Sequence, residues 1–113
     1  MNKKLVTLKR NKEFNFVYRK GKSFFTQHLS MIFFQNKYGG LRYGFSISKK
    51  VGKAVVRNKV RRRLKSICRD IMKDNEIGLS ANIIFVAKKD IQNVRYDELS
   101  SEVIHLMKKA KIL

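Results

Sequence analysis

Between Phe14 and Arg69 the chain runs for 56 residues without one Asp or Glu, yet carries fifteen Lys and Arg there. Nine of those cations fall between Lys49 and Lys65. Like charges at this density repel one another, so a compact state must hold them on outward faces and loses stability until a polyanion neutralises them. Nucleic acid is the commonest such partner. A basic stripe along one helix is its electrostatic footprint.

The chain of 113 residues is expected to be one domain, 1–113, with a core large enough to stand without disulfides. Its 43% hydrophobic content makes it a folded protein and not a basic tail. The net charge is +19, and seven of the eight acids come after Arg69, so the charge is asymmetric along the sequence. One cysteine, Cys68, excludes an internal disulfide and fits a reducing compartment. No apolar run approaches the roughly 20 residues of a membrane span, and the start is too short in apolar residues for a signal peptide. The expected location is the cytoplasm, with no membrane association. There is no proline, no low-complexity linker and no repeat.

Residues 1–10 are polar and basic and read as a loose arm. A first helix is expected over residues 12–20, with Asn11 as its cap, Glu13 at the positive end of its dipole and Gly21 as a left-handed terminator. Phe14, Val17 and Tyr18 share one face of it; Phe16 points elsewhere. Strands are expected at 22–27 and, more firmly, at 29–35. Asn36, Lys37, Tyr38, Gly39 and Gly40 read as a hairpin loop, because glycine permits positive φ. Residues 41–48 alternate: Leu41, Tyr43, Phe45 and Ile47 point one way, and Arg42, Gly44, Ser46 and Ser48 the other. That second face has no bulk. It is either a solvated face or one that another chain approaches closely.

The basic segment continues as a helix over about 54–75. Val56, Val60, Leu64, Ile67 and Ile71 form its core-facing stripe, and Cys68 borders it as a small core hydrophobe. Residues 82–87 are largely apolar and read as a central strand, 88–94 as a loop, and 96–112 as a last helix whose Leu99, Val103, Leu106 and Ala110 line one face. Asp97 and Glu98 open that helix, and Lys108, Lys109 and Lys111 close it, as the dipole favours. The order α-β-β-β-α-β-α is an α+β sandwich with a four-stranded sheet.

The basic region has no carboxylate with which to hold a catalytic metal as a two-metal nuclease does. His28 and His105 are isolated in sequence, with no carboxylate or cysteine at zinc spacing. Gly52-Lys53 ends like a phosphate loop, but Ile47 stands where the first Gly belongs and Ala54 offers no hydroxyl for magnesium. No catalytic residue and no metal ligand is expected.

On the wheel of the basic helix, Arg61, Lys65, Asn58, Arg69 and Arg62 sweep one flank, with Lys59 and Arg63 behind. A generic exposed basic face intersperses Glu for i,i+4 pairing; this one has none. Arg57 lies near the apolar side, where an unpaired guanidinium is costly. It is expected to reach either a phosphate or a backbone carbonyl. Asn58 can donate and accept at once, so it can touch a base edge or a 2′-hydroxyl where Lys cannot.

Arg57-Asn58-Lys59-Val60-Arg61-Arg62, preceded by Gly44-Phe45-Ser46-Ile47-Ser48-Lys49-Lys50, resembles the signature of the bacterial ribonuclease P protein family. The resemblance covers nearly the whole chain. It implies an αβββαβα sandwich with a left-handed βαβ crossover. It implies two partners, a large catalytic RNA and precursor tRNA, with no obligate protein partner. The RNA carries out the hydrolysis with Mg2+ held by RNA rather than by protein residues, and the complex removes the 5′ leader of the precursor. Carried over by position, the motif gives Arg57, Asn58, Lys59, Arg61, Arg62 and Lys65 to RNA contacts, with Lys49, Lys50 and Lys53 leading into the helix. Phe14, Tyr18, Ile32, Ser46 and Ser48 match the cleft that holds the single-stranded leader; Phe14 is read equally as plain core. Two positions depart from the family pattern. Lys59 stands where Arg is frequent and lacks the planar fork for a bidentate phosphate contact. Ile32 stands where an aromatic is frequent and cannot stack.

Three other classes compete. A ribosomal-type RNA-binding protein fits the composition equally well, and only the linked signature argues against it. A protein-only nuclease lacks its acid cluster. A basic amphipathic membrane binder needs exposed apolar residues, whereas the stripe from Val56 to Ile71 is needed for the core.

Overall fold

The computed structural model describes residues 5–37 and 39–113. Its elements are β1 (Val6–Thr7), α1 (Asn11–Lys20), β2 (Lys22–Phe25), β3 (Leu29–Gln35), β4 (Leu41–Ser46), α2 (Ala54–Asp74), β5 (Ala81–Ala87), a single 3-10 turn (Ile91–Asn93) and α3 (Tyr96–Lys109). The strands form one sheet in the order β1-β4-β5-β3-β2. β5 runs parallel to β4 and antiparallel to β3. α2 therefore belongs to a β4-α2-β5 crossover, and β5 is the central strand that its apolar sequence predicts.

Two expectations about connectivity are corrected. The sheet has five strands, not four. The extra one lies in the supposed loose arm: Val6 and Thr7 pair in parallel with Arg42 and Tyr43, the Leu8 amide donates to the Tyr43 carbonyl at 2.7 Å, and the Leu8 side chain is buried. Burying Leu8 anchors the segment, and two residues are too few for any periodicity to show. Residues 1–4 of that arm lie outside the described residues. The second correction concerns residues 36–40. They turn the chain with Gly39 and Gly40 at φ +83° and +80°, as glycine there predicts, but they do not close a hairpin, because β5 inserts between β3 and β4. Tyr38 lies outside the described residues.

The ends of the helices also differ in detail. The cap of α1 is Arg10, not Asn11; Glu13 Oε1 accepts from the Arg10 amide at 3.3 Å. Gly21 has φ −80°, so left-handed termination is not its role. A Cβ there would lie 2.6 Å from the Val17 carbonyl oxygen and 2.8 Å from that of Phe33. Glycine is required by close approach of α1 to the sheet. At the end of α2, Asn75 Nδ2 donates to the Ile71 carbonyl at 2.9 Å. α3 stops at Lys109, and Lys111 turns to φ +60° so that the Ile112 amide folds back onto Met107 at 2.9 Å.

Side chains alternate across the sheet. One face is filled by α2 and α3. Leu29, Met31, Tyr43, Ile83 and Phe85 of the sheet pack with Val60, Leu64, Ile67, Cys68 and Ile71 of α2 and Leu99, Val103, Leu106 and Met107 of α3. The rings of Tyr43, Phe85 and Phe45 stack, with centroids 6.2–6.4 Å apart. The expected stripe of α2 is thus the core seam. Cys68 is fully buried within it, and burial pushes its thiol pKa far up, which makes it inert. Among the described residues the other face carries α1 alone, over a small cluster of Leu8, Val17, Ile32 and Ile84.

Candidate nucleic-acid interface

α2 presents its apolar stripe inward and its cations at the rim of that seam or on the outer face. Asn58, Lys59, Arg62 and Arg69 are exposed; Arg57, Arg61, Arg63 and Lys65 are half-buried. Its first turn holds no acid, and its N-terminus follows Ser48, Lys49, Lys50 and Lys53, all exposed. Cations at the positive end of a helix dipole are unfavourable. Among the described residues the only ion pairs are His28–Glu102 and Arg95–Asp97, so no carboxylate neutralises α2. Arg61 Nη1 donates to Asn58 Oδ1 at 3.0 Å. That bond fixes the guanidinium and occupies the Asn58 carbonyl, leaving the Asn58 amide NH2 as its free donor. Arg63 turns away from this flank, donating to the Val94 carbonyl at 3.3 Å.

Arg57 makes no side-chain hydrogen bond, and its Nε is buried without a partner among the described residues. Of the two expected partners, the backbone carbonyl is not found. A buried orphan donor on a cation is costly, and an incoming phosphate oxygen would satisfy it.

The α1 face supplies the second part of the site. The register lays three rows across the sheet. The middle row, Gly44, Ile84, Ile32 and Ser23, lies under α1. One flanking row is Ser46, Val86, Ser30 and Phe25; the other is Arg42, Asn82 and Phe34. β4 passes from Ser46 directly into the basic loop before α2, so the Ser46 row adjoins the cationic helix start. Phe14 lies over Gly44, where an added Cβ would stand 2.7 Å from its ring carbons. The bulk-free face of β4 is thus approached closely, and by this chain's own Phe14. The Tyr18 ring is 44% exposed and 6.4 Å from that of Phe14. Ser46 is half-buried and Ser48 exposed. Ile32 is a correction to the cleft as read from sequence: it is 8% exposed, packed with Val17 and Ile84 beneath α1, and is floor rather than contact surface.

Sequence reasoning missed one constellation entirely. His28 is not isolated. Its Nδ1 lies 2.8 Å from Glu102 Oε2, while Glu102 Oε1 accepts from the His28 amide at 2.9 Å and from Thr26 Oγ1 at 2.6 Å. Burial pushes the Glu102 pKa up, but the bonds from Thr26 and His28, with the His28 charge, outweigh it and hold the carboxyl below its ordinary value. Seventy-four residues separate His28 from Glu102, so no spacing rule could signal the pair. The link ties α3 to the β2–β3 turn. Lys88 Nζ adds a bond to the Thr26 carbonyl at 2.6 Å. His105 is exposed. Among the described residues no three His, Cys, Asp or Glu gather as metal ligands, and no helix is long and apolar enough to cross a membrane.

Comparison with known proteins gives one answer at every level. The family described as Ribonuclease P matches residues 1–111. A ribonuclease P protein component of Clostridium botulinum is 40% identical over 105 residues, 93% of this chain and 94% of that protein. One from Finegoldia magna is 36% identical over 107 residues, 95% of this chain and 92% of that protein. Among solved structures, the RNase P protein of Staphylococcus aureus superposes with a TM-score of 0.85 at 29% identity, covering 96% of this chain and 98% of that one. The RNase P protein of Thermotoga maritima shares the fold, with a TM-score of 0.81 at 23% identity over 91% of this chain and 96% of that one.

Proposed function

The chain therefore belongs to the ribonuclease P protein family, and from that premise we propose how it works: it binds a catalytic RNA through α2 and the single-stranded 5′ leader of precursor tRNA through the cleft beside α1. The observation that carries this reading is the unneutralised flank of α2. Asn58, Arg61, Arg62 and Lys65 stand with no carboxylate in range, and Arg57 keeps a buried donor unspent. Lys49, Lys50, Lys53 and Lys59 extend the field. Such an arrangement repels itself and is stabilised by a polyanion.

The division of labour follows from the donor set. Ammonium and guanidinium groups bind phosphate and base edges but cannot coordinate a divalent cation, and the Asn58 carbonyl, the one oxygen that could, is taken by Arg61. Magnesium would therefore be held by RNA phosphates, and the protein supplies no reacting group. Its contribution is electrostatic and selective. Two RNAs repel each other, and a cationic protein between them lowers that repulsion. Tyr18 and Phe14 then touch the leader, which precursor has and mature tRNA lacks. Stacking on Tyr18 is worth ~1–3 kcal/mol when a base is fully engaged. Binding energy confined to the leader favours substrate over product. The protein is expected to act in the cytoplasm, where precursor tRNA is made.

The test is 5′-leader cleavage of a precursor tRNA by a bacterial ribonuclease P RNA at low magnesium, with and without this protein. Strong stimulation is expected, and it should vanish when Arg61 and Arg62 become Ala. Tyr18→Ala should reduce the preference for precursor over mature tRNA and leave binding to the catalytic RNA intact. If the protein binds the RNA without stimulating cleavage, a general RNA-binding role replaces this one.

A further inference from the structure

Phe16 and Tyr18 are two residues apart, so at about 100° per residue they project to opposite flanks of α1, on either side of the buried Val17. Tyr18 belongs to the cleft already described. The flank of Phe16 has no role in that site, and it is not an ordinary solvated helix surface. Phe16 is 40% exposed. It meets Phe34 edge to face, with centroids 5.0 Å apart, which holds the ring in place. Beside it opens a groove of about 600 Å³ lined by Arg10, Lys12, Glu13, Phe16, Arg19, Arg42 and Asn82.

The charge of that lining is one-sided: four cations and one acid. The acid, Glu13, is committed to the Arg10 amide at the start of the helix. Arg10, Lys12 and Arg19 enter none of the ion pairs among the described residues. The Arg19 guanidinium stands 5.9 Å from the centre of the Phe16 ring. Asn82 spends its carbonyl on Asn36 Nδ2 at 2.8 Å and keeps its own NH2 available for donation. A fixed aromatic ring, cations around it and an amide donor beneath are the parts that bind a nucleotide of single-stranded nucleic acid: the ring takes the base and the cations take the flanking phosphates.

We propose that this groove is a second binding site for single-stranded RNA, on the side of α1 opposite the leader cleft, with Phe16 as its stacking platform and Arg10, Lys12 and Arg19 as its phosphate contacts. It goes beyond the proposed function and does not depend on it. Residues of one short helix then grip RNA on both flanks. The occupant is either the distal part of a long leader that has passed over α1 or an unpaired loop of the catalytic RNA. Both present the same chemistry.

The test uses the intact protein and a short fluorescein-labelled pyrimidine oligoribonucleotide, with binding read by anisotropy across a salt series. Phe16→Leu keeps the apolar contact with Phe34 and removes the stacking face; it should weaken binding about fivefold or more. Lys12→Ala with Arg19→Ala should flatten the salt dependence by about 1.4 in log–log slope, two contacts at ~0.7 each. Lys108→Ala with Lys109→Ala removes the same charge from the far end of α3 and should leave the slope as it is. Equal losses in the α1 and α3 double variants would overturn the site, since only net charge would then matter. Unchanged binding in Phe16→Leu would overturn the stacking role. Should Phe16→Leu fail to fold, the two lysine and arginine pairs still decide the matter. In the cleavage reaction, a Phe16→Leu defect confined to long leaders identifies the leader as occupant. A defect that persists with a leader of one nucleotide identifies the catalytic RNA. Failure of wild-type protein to stimulate cleavage would strike the proposed function and leave this binding result standing.

Discussion

The two faces of the sheet have the same backbone and opposite fates. The face toward α2 and α3 is filled: Tyr43, Phe85, Ile83 and Met31 are fully buried, and even the Tyr43 hydroxyl is enclosed without a partner among the described residues. The face toward α1 is only half covered. One helix of ten residues crosses its middle row, and the rows on either side stay open, lined by Ser46, Arg42 and Asn82. The difference teaches where stability and binding reside. A sheet closed on one side by two long helices has stability enough to leave the other side under-packed, and the under-packed side is where aromatics remain half-exposed next to cations.

The contrast can be broken most severely from the filled side. Phe85→Ala removes the fully buried ring that contacts both Tyr43 and Phe45 and should cost about 3–5 kcal/mol, read as a fall in the urea midpoint; a loss no larger than that of a surface substitution would show that this face is not the stabilising one. Next comes the rim where the two faces are tied. Glu102→Ala cuts α3 from the β2–β3 turn and should cost about 1.5–3 kcal/mol at neutral pH. The folded-state pKa of Glu102 is depressed, so its contribution is present above the unfolded carboxylate value of about 4.3 and disappears as pH falls through the folded value. Wild type and Glu102→Ala should therefore converge in stability in acid, and curves that stay parallel would remove the pin from the account. The smallest effect on stability is expected on the open side. Gly44→Ala sets a methyl against the Phe14 ring, at about 1–3 kcal/mol for the strain, and relieving it requires Phe14 to move. Leader discrimination should suffer more than the melting temperature does. A large loss of stability with unaltered leader binding would place Phe14 in the core alone.

Much of the filled face was legible in the sequence. The stripe from Val56 to Ile71 and the apolar run at β5 announce buried elements because helix and strand periods differ. The basic flank of α2 was legible too, since the absence of acids needs no structure to be seen. What was not legible depends on contacts distant in sequence. Periodicity says that residues 29–35 and 41–48 are strands but not that the second stops at Ser46 or that β5 parts them. His28 and Glu102 meet only because α3 packs back over the first hairpin. Gly21 looks like a terminator by type, and only the distance to the Val17 and Phe33 carbonyls reveals a spacing requirement. Phe16 is one phenylalanine among eight until Phe34 and Arg42 come up beside it.

The insertion of β5 between β3 and β4 has a consequence for how the protein is made. Until Ala87 has left the ribosome, β3 and β4 each lack their partner, and both expose an unpaired edge, the usual template for aggregation. The chain cannot fold stepwise from its N-terminus; its sheet closes late, around contacts far apart in sequence, which slows folding. The nascent segment that waits longest is the acid-free one, and its mutual repulsion keeps those unfinished edges from finding one another in neighbouring chains.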